Sequence, residues 1–193
     1  MKRFLLATSI AAATALTAFG TSAAPVTYTI DNGHSVVAFS LDHLGFAKAM
    51  GRFNTVGGEL VFDAAAPASS SLTVEIDANS IDTNHDKRDE HLKSPDFFNS
   101  AEFPKITFKS DKVEVTGDKT GRLSGQLTML GVTKPVVLDV TFNKADVSAA
   151  SKLETAGFSA RGTVKRSDFG MSYGVPNIGD DVALIIEVEA IKK

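Results

Sequence analysis

The chain has no cysteine and no tryptophan among its 193 residues. Without cysteine there is no disulfide, no thiol nucleophile and no thiolate metal ligand. Stability must then come from an apolar core, which a chain of this length can supply as one domain. With no tryptophan and only Tyr28 and Tyr173 as tyrosines, a sugar site built on stacked rings is disfavoured. Basic residues are outnumbered, 20 Lys and Arg against 23 Asp and Glu, and nowhere do they cluster. That argues against nucleic acid or an anionic membrane as partner, since both need a concentrated positive patch. Also missing are G-x-S-x-G, S-x-x-K, H-E-x-x-H, a Walker loop and G-x-G-x-x-G, the signatures of common nucleophile, zinc and nucleotide sites. Asp168-Phe169-Gly170 matches a kinase triplet, but without H-R-D or a phosphate loop it is a coincidence.

The first residues have the form of a secretory signal. Lys2 and Arg3 precede an uncharged Ala-, Leu- and Thr-rich run, and Thr21-Ser22-Ala23 offers the small residues that a signal peptidase reads. The expected organisation is a signal peptide over 1–23 and one domain over 24–193, in the periplasm or secreted. Export removes two of the 20 basic residues and leaves the rest more acidic. No later run approaches the ~18 apolar residues of a membrane span, and no cysteine near the cut supports a lipid anchor.

Period-two alternation dominates the chain beyond the signal. Leu72, Val74 and Ile76 alternate with Thr73, Glu75 and Asp77; Val136, Leu138, Val140 and Phe142 alternate with Val137, Asp139, Thr141 and Asn143; Val182, Leu184, Ile186 and Val188 alternate with Ala183, Ile185, Glu187 and Glu189. Each set lies on one face of a strand, and such alternation favours antiparallel sheets. Strands are expected near 27–31, 34–41, 51–63, 71–79, 105–115, 121–130, 134–143, 155–166 and 181–192, with turn signals at Asn32-Gly33, Thr116-Gly117-Asp118, Gly131 and 177–180. This number and spacing predict a closed barrel or sandwich. The small-residue segment 64–71 reads as a hairpin connection.

Two segments break the pattern. Residues 44–50 (L-G-F-A-K-A-M) suggest a helical turn. Residues 84–93 predict a helix, with Asp82, Thr83 and Asn84 as candidate caps, Asp86, Asp89 and Glu90 near its start, and Pro95 as its stop. The helix lies within 80–110, which also holds His85, His91 and four of the 13 phenylalanines. His85 and His91 are six apart, about 600° around a helix, so the two do not share a face as a metal pair requires. Asp89, four from His85, leaves open a metal- or carboxylate-dependent hydrolase using His85, Asp89 and His91. The alternative is a solvated amphipathic helix with one apolar edge. His34 and Ser35 are adjacent, so within a strand they point to opposite sides rather than forming a nucleophilic pair.

The remaining signal is apolar. Thirteen Phe and four Met are many for a chain without Trp. An eight-stranded barrel either fills its interior with such side chains or leaves room for one ligand, and the residues alone do not choose between them. If the Phe-rich face points inward, the expected lining is Phe39, Leu41, Phe53, Leu60, Phe62, Leu127, Met129, Phe142 and Phe158. Phe46, Met50, Phe97 and Phe98 would lie near the opening, with His43, Arg88 and His91 as polar mouth residues.

An ordered set of short motifs carries a family resemblance across the chain beyond the signal. It includes Asp31 with His34-Ser35 and Val37-x-Phe39, then Gly51-x-Phe53, Ser80-Ile81-x-Thr83, Arg88-Asp89 with Leu92, and Asp96-Phe97-Phe98. Phe103-Pro104 with Ile106-Thr107-Phe108 and Ser110 comes next, then Gly125-x-Leu127-Thr128 and the run 131–136. Arg166-Ser167-x-Phe169-Gly170-Met171 and Glu189-Ala190 close it. In this order the set resembles the YceI-like family of exported polyisoprenoid-binding proteins. One departure is Tyr28, where the family often has Trp. The resemblance implies an all-β fold, an extended lipocalin-like eight-stranded antiparallel barrel with one short helix and a helical turn. It implies a long-chain lipid, an isoprenoid quinone or polyprenyl chain, held in an apolar pore, with no cofactor and no catalytic group. It also implies a periplasmic location and the homodimers known in the family. A ligand-free structural or stress barrel is the third reading. Intact-mass measurement of exported protein is expected to give a chain beginning at Ala24; a chain retaining 1–23 would contradict the signal assignment.

Overall fold

The computed structural model describes residues 24–193, so the expected signal peptide lies outside the described residues. Eleven strands and one α-helix are present among them. The strands are β1 (Val26–Ile30), β2 (Val36–His43), β3 (Ala47–Phe53), β4 (Val56–Phe62), β5 (Ser71–Asp77), β6 (Ile81–Asp82), β7 (Lys105–Val115), β8 (Thr120–Met129), β9 (Val132–Val147), β10 (Glu154–Lys165) and β11 (Asp181–Lys192), with α1 (Asp86–Lys93) after β6.

The eleven strands make eight staves. β1 and β2 both pair antiparallel with β11, at Ile30↔Ala190 and Val36↔Glu187, so they are consecutive pieces of one stave. β3 and β4 form the second, facing β2 and β1. β5 and β6 form the third. β7 to β11 complete the circuit, and β1 against β11 closes an eight-stranded antiparallel barrel. Closure gives β1 and β11 a partner on each side, so neither end of the domain is an edge strand.

The three split staves break at one level, and their freed backbone groups find local partners. The Asn32 side chain accepts from Val56 N at 2.7 Å, Asn54 N donates to Ser80 O, and Asp77 N donates to Thr55 O. The turn signal at Asn32-Gly33 is thus a bend within one stave, and the run expected over 51–63 is interrupted at Asn54-Thr55. The His34 ring sits 2.8 Å from Asp31 and Gly33 N donates to the same carboxylate, fixing the bend.

The expected helical turn over 44–50 is instead a hairpin. Leu44 and Gly45 have φ of 59° and 73°, the mirror-image turn that matches strand twist, and Phe46 N donates to His43 O. From Ala47 the chain pairs with β2 as β3. Helix-favouring Ala47, Lys48 and Ala49 yield to that pairing. The predicted helix is present and shorter. Its cap is His85, which accepts from Arg88 N, and not the three residues before it. Asn84 has φ 59° and marks the turn into the helix.

The core lies inside the barrel in two clusters. The larger runs from Ile30, Val37 and Phe53 to Phe169 and Met171; the smaller gathers Tyr28, Leu60, Phe62, Ala156 and Ala190. The Asp31 hydrogen bond raises the His34 pKa above its ordinary value, and the same bond lowers that of Asp31. The histidine's contribution is complete below its unfolded pKa and is lost as pH rises through its folded pKa. That of Asp31 is lost as pH falls through the carboxylate's lowered pKa. An NMR titration of the His34 ring should give a midpoint above ~6.5, returning toward that value in Asp31→Asn; an unmoved midpoint in the variant would contradict the pairing.

An apolar cavity as the candidate functional site

Alternation places one face of every stave on the barrel axis. On β4, Val56, Leu60 and Phe62 face inward; on β9, Val136, Leu138, Val140 and Phe142 do; on β11, Val182, Leu184, Ile186 and Val188 do. These side chains do not fill the interior. They surround a cavity of about 410 Å³ that all eight staves help to line.

Aromatic rings form much of its wall. Phe62, Phe142 and Phe158 make a mutual cluster with centroids 5.3, 5.3 and 5.4 Å apart. The Phe142–Phe158 contact depends on a bulge: the β9–β10 register shifts between Gly157 and Phe158, which brings the two rings opposite. A second chain of rings runs through Phe39, Phe53 and Phe98, at 5.9 and 5.5 Å.

Three inward glycines lie under bulky neighbours. A Cβ on Gly51 would meet Phe39 Cζ at 2.5 Å, one on Gly125 would meet Phe108 Cζ at 2.4 Å, and one on Gly162 would meet Leu138 Cδ2 at 2.6 Å. Each missing Cβ lets a large side chain lie against the wall, which keeps the lumen open.

The two ends differ. One is closed by the segment after α1. Phe97 and Phe98 line the cavity there, held by Phe97 N to Ser94 O and Phe98 N to Leu92 O. His91, Phe97 and Tyr173 stack against each other with centroids 5.0 to 5.2 Å apart. Arg166 and Met171 complete this end. At the other end Ser71, Val115, Gly117, Asp118, Lys119 and Thr120 line the cavity and are exposed, so the mouth lies between the 63–70 loop and the β7–β8 turn.

Eleven of the thirteen lining residues expected from sequence face this cavity: Phe39, Leu41, Phe53, Leu60, Phe62, Phe97, Phe98, Leu127, Met129, Phe142 and Phe158. Phe46 and Met50 do not. Met50 pairs with Ser40, whose neighbours Phe39 and Leu41 point inward, so Met50 points out; Phe46 sits in the hairpin turn and is 89% exposed. His43, Arg88 and His91 are not at the mouth. His43 bridges Ile178, Arg88 donates to Thr83 O at 2.6 Å, and His91 lies 3.1 Å from Asp96, all at or near the covered end. Of the mouth residues, Gly117 and Asp118 carry only a turn signal in the sequence, and Lys119 and Thr120 carry none.

The polar groups of the helix segment are engaged in folding it. Asp89 accepts from Thr83 N at 2.9 Å and from the Thr83 hydroxyl, which itself accepts from Arg88 Nε at 2.7 Å. His85 caps α1. Among the described residues no group of three or more His, Asp or Glu converges as a metal site. Arg166 is the one lining residue sequence reasoning missed that carries a buried charge. Its guanidinium donates to Gly179 O, Met171 O and Ile178 O, and burial lowers its pKa.

A closed antiparallel barrel of eight staves around one apolar cavity places this chain among the hollow β-barrels of lipocalin-like architecture. Comparison with known proteins narrows the class. Residues 28–190 match the YceI-like domain, and the chain belongs to the YceI-like family. It is 38% identical to Protein YceI of Salmonella arizonae over 175 residues, 89% of this chain and 90% of the relative. The crystal structure of the Campylobacter jejuni YCEI protein is 35% identical, with a TM-score of 0.71 over 79% of this chain and 90% of that one. A polyisoprenoid binding domain from Saccharophagus degradans shares the fold at a TM-score of 0.67 and 16% identity, covering 87% of this chain and 99% of that one.

Gly51→Ala is expected to push the Phe39 ring toward the axis, costing ~1–3 kcal/mol of stability by overpacking and weakening uptake of an apolar fluorophore. Denaturant unfolding and a fluorescence titration check both; unchanged values would show that the ring does not need the glycine.

Proposed function

We propose that this protein binds one long-chain amphiphilic lipid, of the isoprenoid-quinone or polyprenyl type, inside the barrel, and serves as an exported binding or carrier protein. The observation that carries this reading is the unfilled lumen: about 410 Å³ bounded by aromatic and aliphatic side chains from every stave. A cavity of this size falls in the range of small-molecule sites. Each methylene moved from water into it contributes ~0.8 kcal/mol, so a chain of several isoprene units binds without a catalytic or metal group. The YceI-like family and the fold shared with a polyisoprenoid binding domain support the choice of ligand class.

The protein acts without chemistry on its cargo in this reading. His85, Asp89 and His91 are engaged with the helix cap, Thr83 and Asp96, and among the described residues no three His, Asp or Glu side chains converge as a metal site, which supports binding over the hydrolase alternative. The signal-like segment over 1–23 supports the periplasmic placement.

Native mass spectrometry of protein purified from its own host, followed by lipid extraction, tests the reading. A co-purifying lipid of defined mass at one per chain is expected. Repeated recovery of bare protein that also fails to take up an added polyprenyl lipid would overturn it in favour of a ligand-free barrel.

A further inference from the structure

The cavity wall is apolar from the Phe62–Phe142–Phe158 cluster to the cover, with one exception at the covered end. Arg166 lines the cavity and is only 3% exposed. A guanidinium has five N–H donors. Main-chain carbonyls take three of them: Nε donates to Gly179 O at 2.8 Å, Nη1 to Met171 O at 3.1 Å and Nη2 to Ile178 O at 3.0 Å. Two N–H groups remain.

The charge also has no carboxylate in direct contact. Among the described residues no carboxylate lies within ion-pair distance of Arg166. Asp180 acts on it only through space; its two oxygens accept from Ser167 N at 2.9 Å and Ser167 Oγ at 2.8 Å. Unspent donors, and a buried charge without a direct ion pair, are both costly in apolar surroundings. The three carbonyl bonds account for Arg166 as the anchor of the 171–179 loop. They do not account for two spare donors on a cavity wall.

We propose that Arg166 is a polar subsite at the covered end of the cavity, where its two free N–H groups donate to an oxygen at the end of the bound chain. This rests on the reading of the cavity as a lipid site and adds an orientation to it. The oxygen-bearing end enters first and stops at Arg166, and the hydrocarbon trails toward the β7–β8 mouth. A planar cation donor suits a carbonyl, such as a quinone oxygen, or a carboxylate. It offers nothing to a pure hydrocarbon.

Three probes with the same tail separate the possibilities: decylbenzoquinone, decanoate and decylbenzene, each titrated against a resident apolar fluorophore. A wall without a donor would favour decylbenzene, because the oxygenated probes are costlier to desolvate. The subsite predicts that wild-type protein binds decylbenzoquinone or decanoate at least about tenfold more tightly than decylbenzene. It also predicts a lowered carbonyl stretching frequency for the bound quinone or acid. Arg166→Met should erase that preference while retaining decylbenzene. Because this variant also removes the three bonds that anchor the 171–179 loop, the wild-type preference and the carbonyl shift stand as the decisive readouts. Decylbenzene binding as tightly as both oxygenated probes would overturn the subsite and leave the lipid cavity intact. Failure of all three to bind would overturn the cavity reading itself.

Discussion

Closure of the sheet by β1 against β11 is the constraint on which the rest of the fold depends. Three register pairs, Tyr28↔Lys192, Thr29↔Ile191 and Ile30↔Ala190, join the beginning of the domain to its end. The seam is packed from inside. Ala156 and Ala190 face each other across β10 and β11 with no exposed surface, and the Tyr28 ring packs with them, Leu60 and Phe62. The Tyr28 hydroxyl reaches Glu154 at 3.3 Å, and Glu154 also accepts from Lys192. A tyrosine suits this place because it combines buried ring area with a polar tip. With the seam closed, the inward side chains face a shared lumen and neither β1 nor β11 presents a free edge.

Whether a closed barrel is filled or hollow depends on where its bulk goes. Here the glycines at 51, 125 and 162 let Phe39, Phe108 and Leu138 lie along the wall. Elsewhere the Gly157–Phe158 bulge gathers three rings to one side. A cavity that is dry and apolar forfeits dispersion contacts on its open side. Lining such a space with large side chains is costly unless something occupies it, and that is the physical ground for a lipid occupant.

The alternating strands were legible because their period leaves no choice of face: Val136, Leu138, Val140 and Phe142 point inward together or not at all. The same rule explains most of the lining. It failed at residues 44–50, where local helix preference outweighed pairing that only the folded chain reveals, and so misplaced Phe46 and Met50. The break at Asn54-Thr55 is hidden within a strand pattern, and the turn signal at Asn32-Gly33 does not say that neighbouring staves break at the same level. Arg166 was illegible for another reason. A buried arginine and a surface arginine look alike in sequence, and only the loop carbonyls of Met171, Ile178 and Gly179 distinguish them. The segment 80–110 looked reactive because charge and histidine concentrate there; in the fold those groups hold a cover in place.

The central claim is that a hydrocarbon chain lies within the lumen. Photo-crosslinking with a polyprenyl probe carrying a diazirine on its tail tests it most directly, with labelled peptides located by mass spectrometry. Labels are expected on inward residues of β4, β9 and β10, such as Phe62, Phe142 and Phe158. Labels confined to the outward Phe46 and Met50 on the β2–β3 hairpin would contradict the claim.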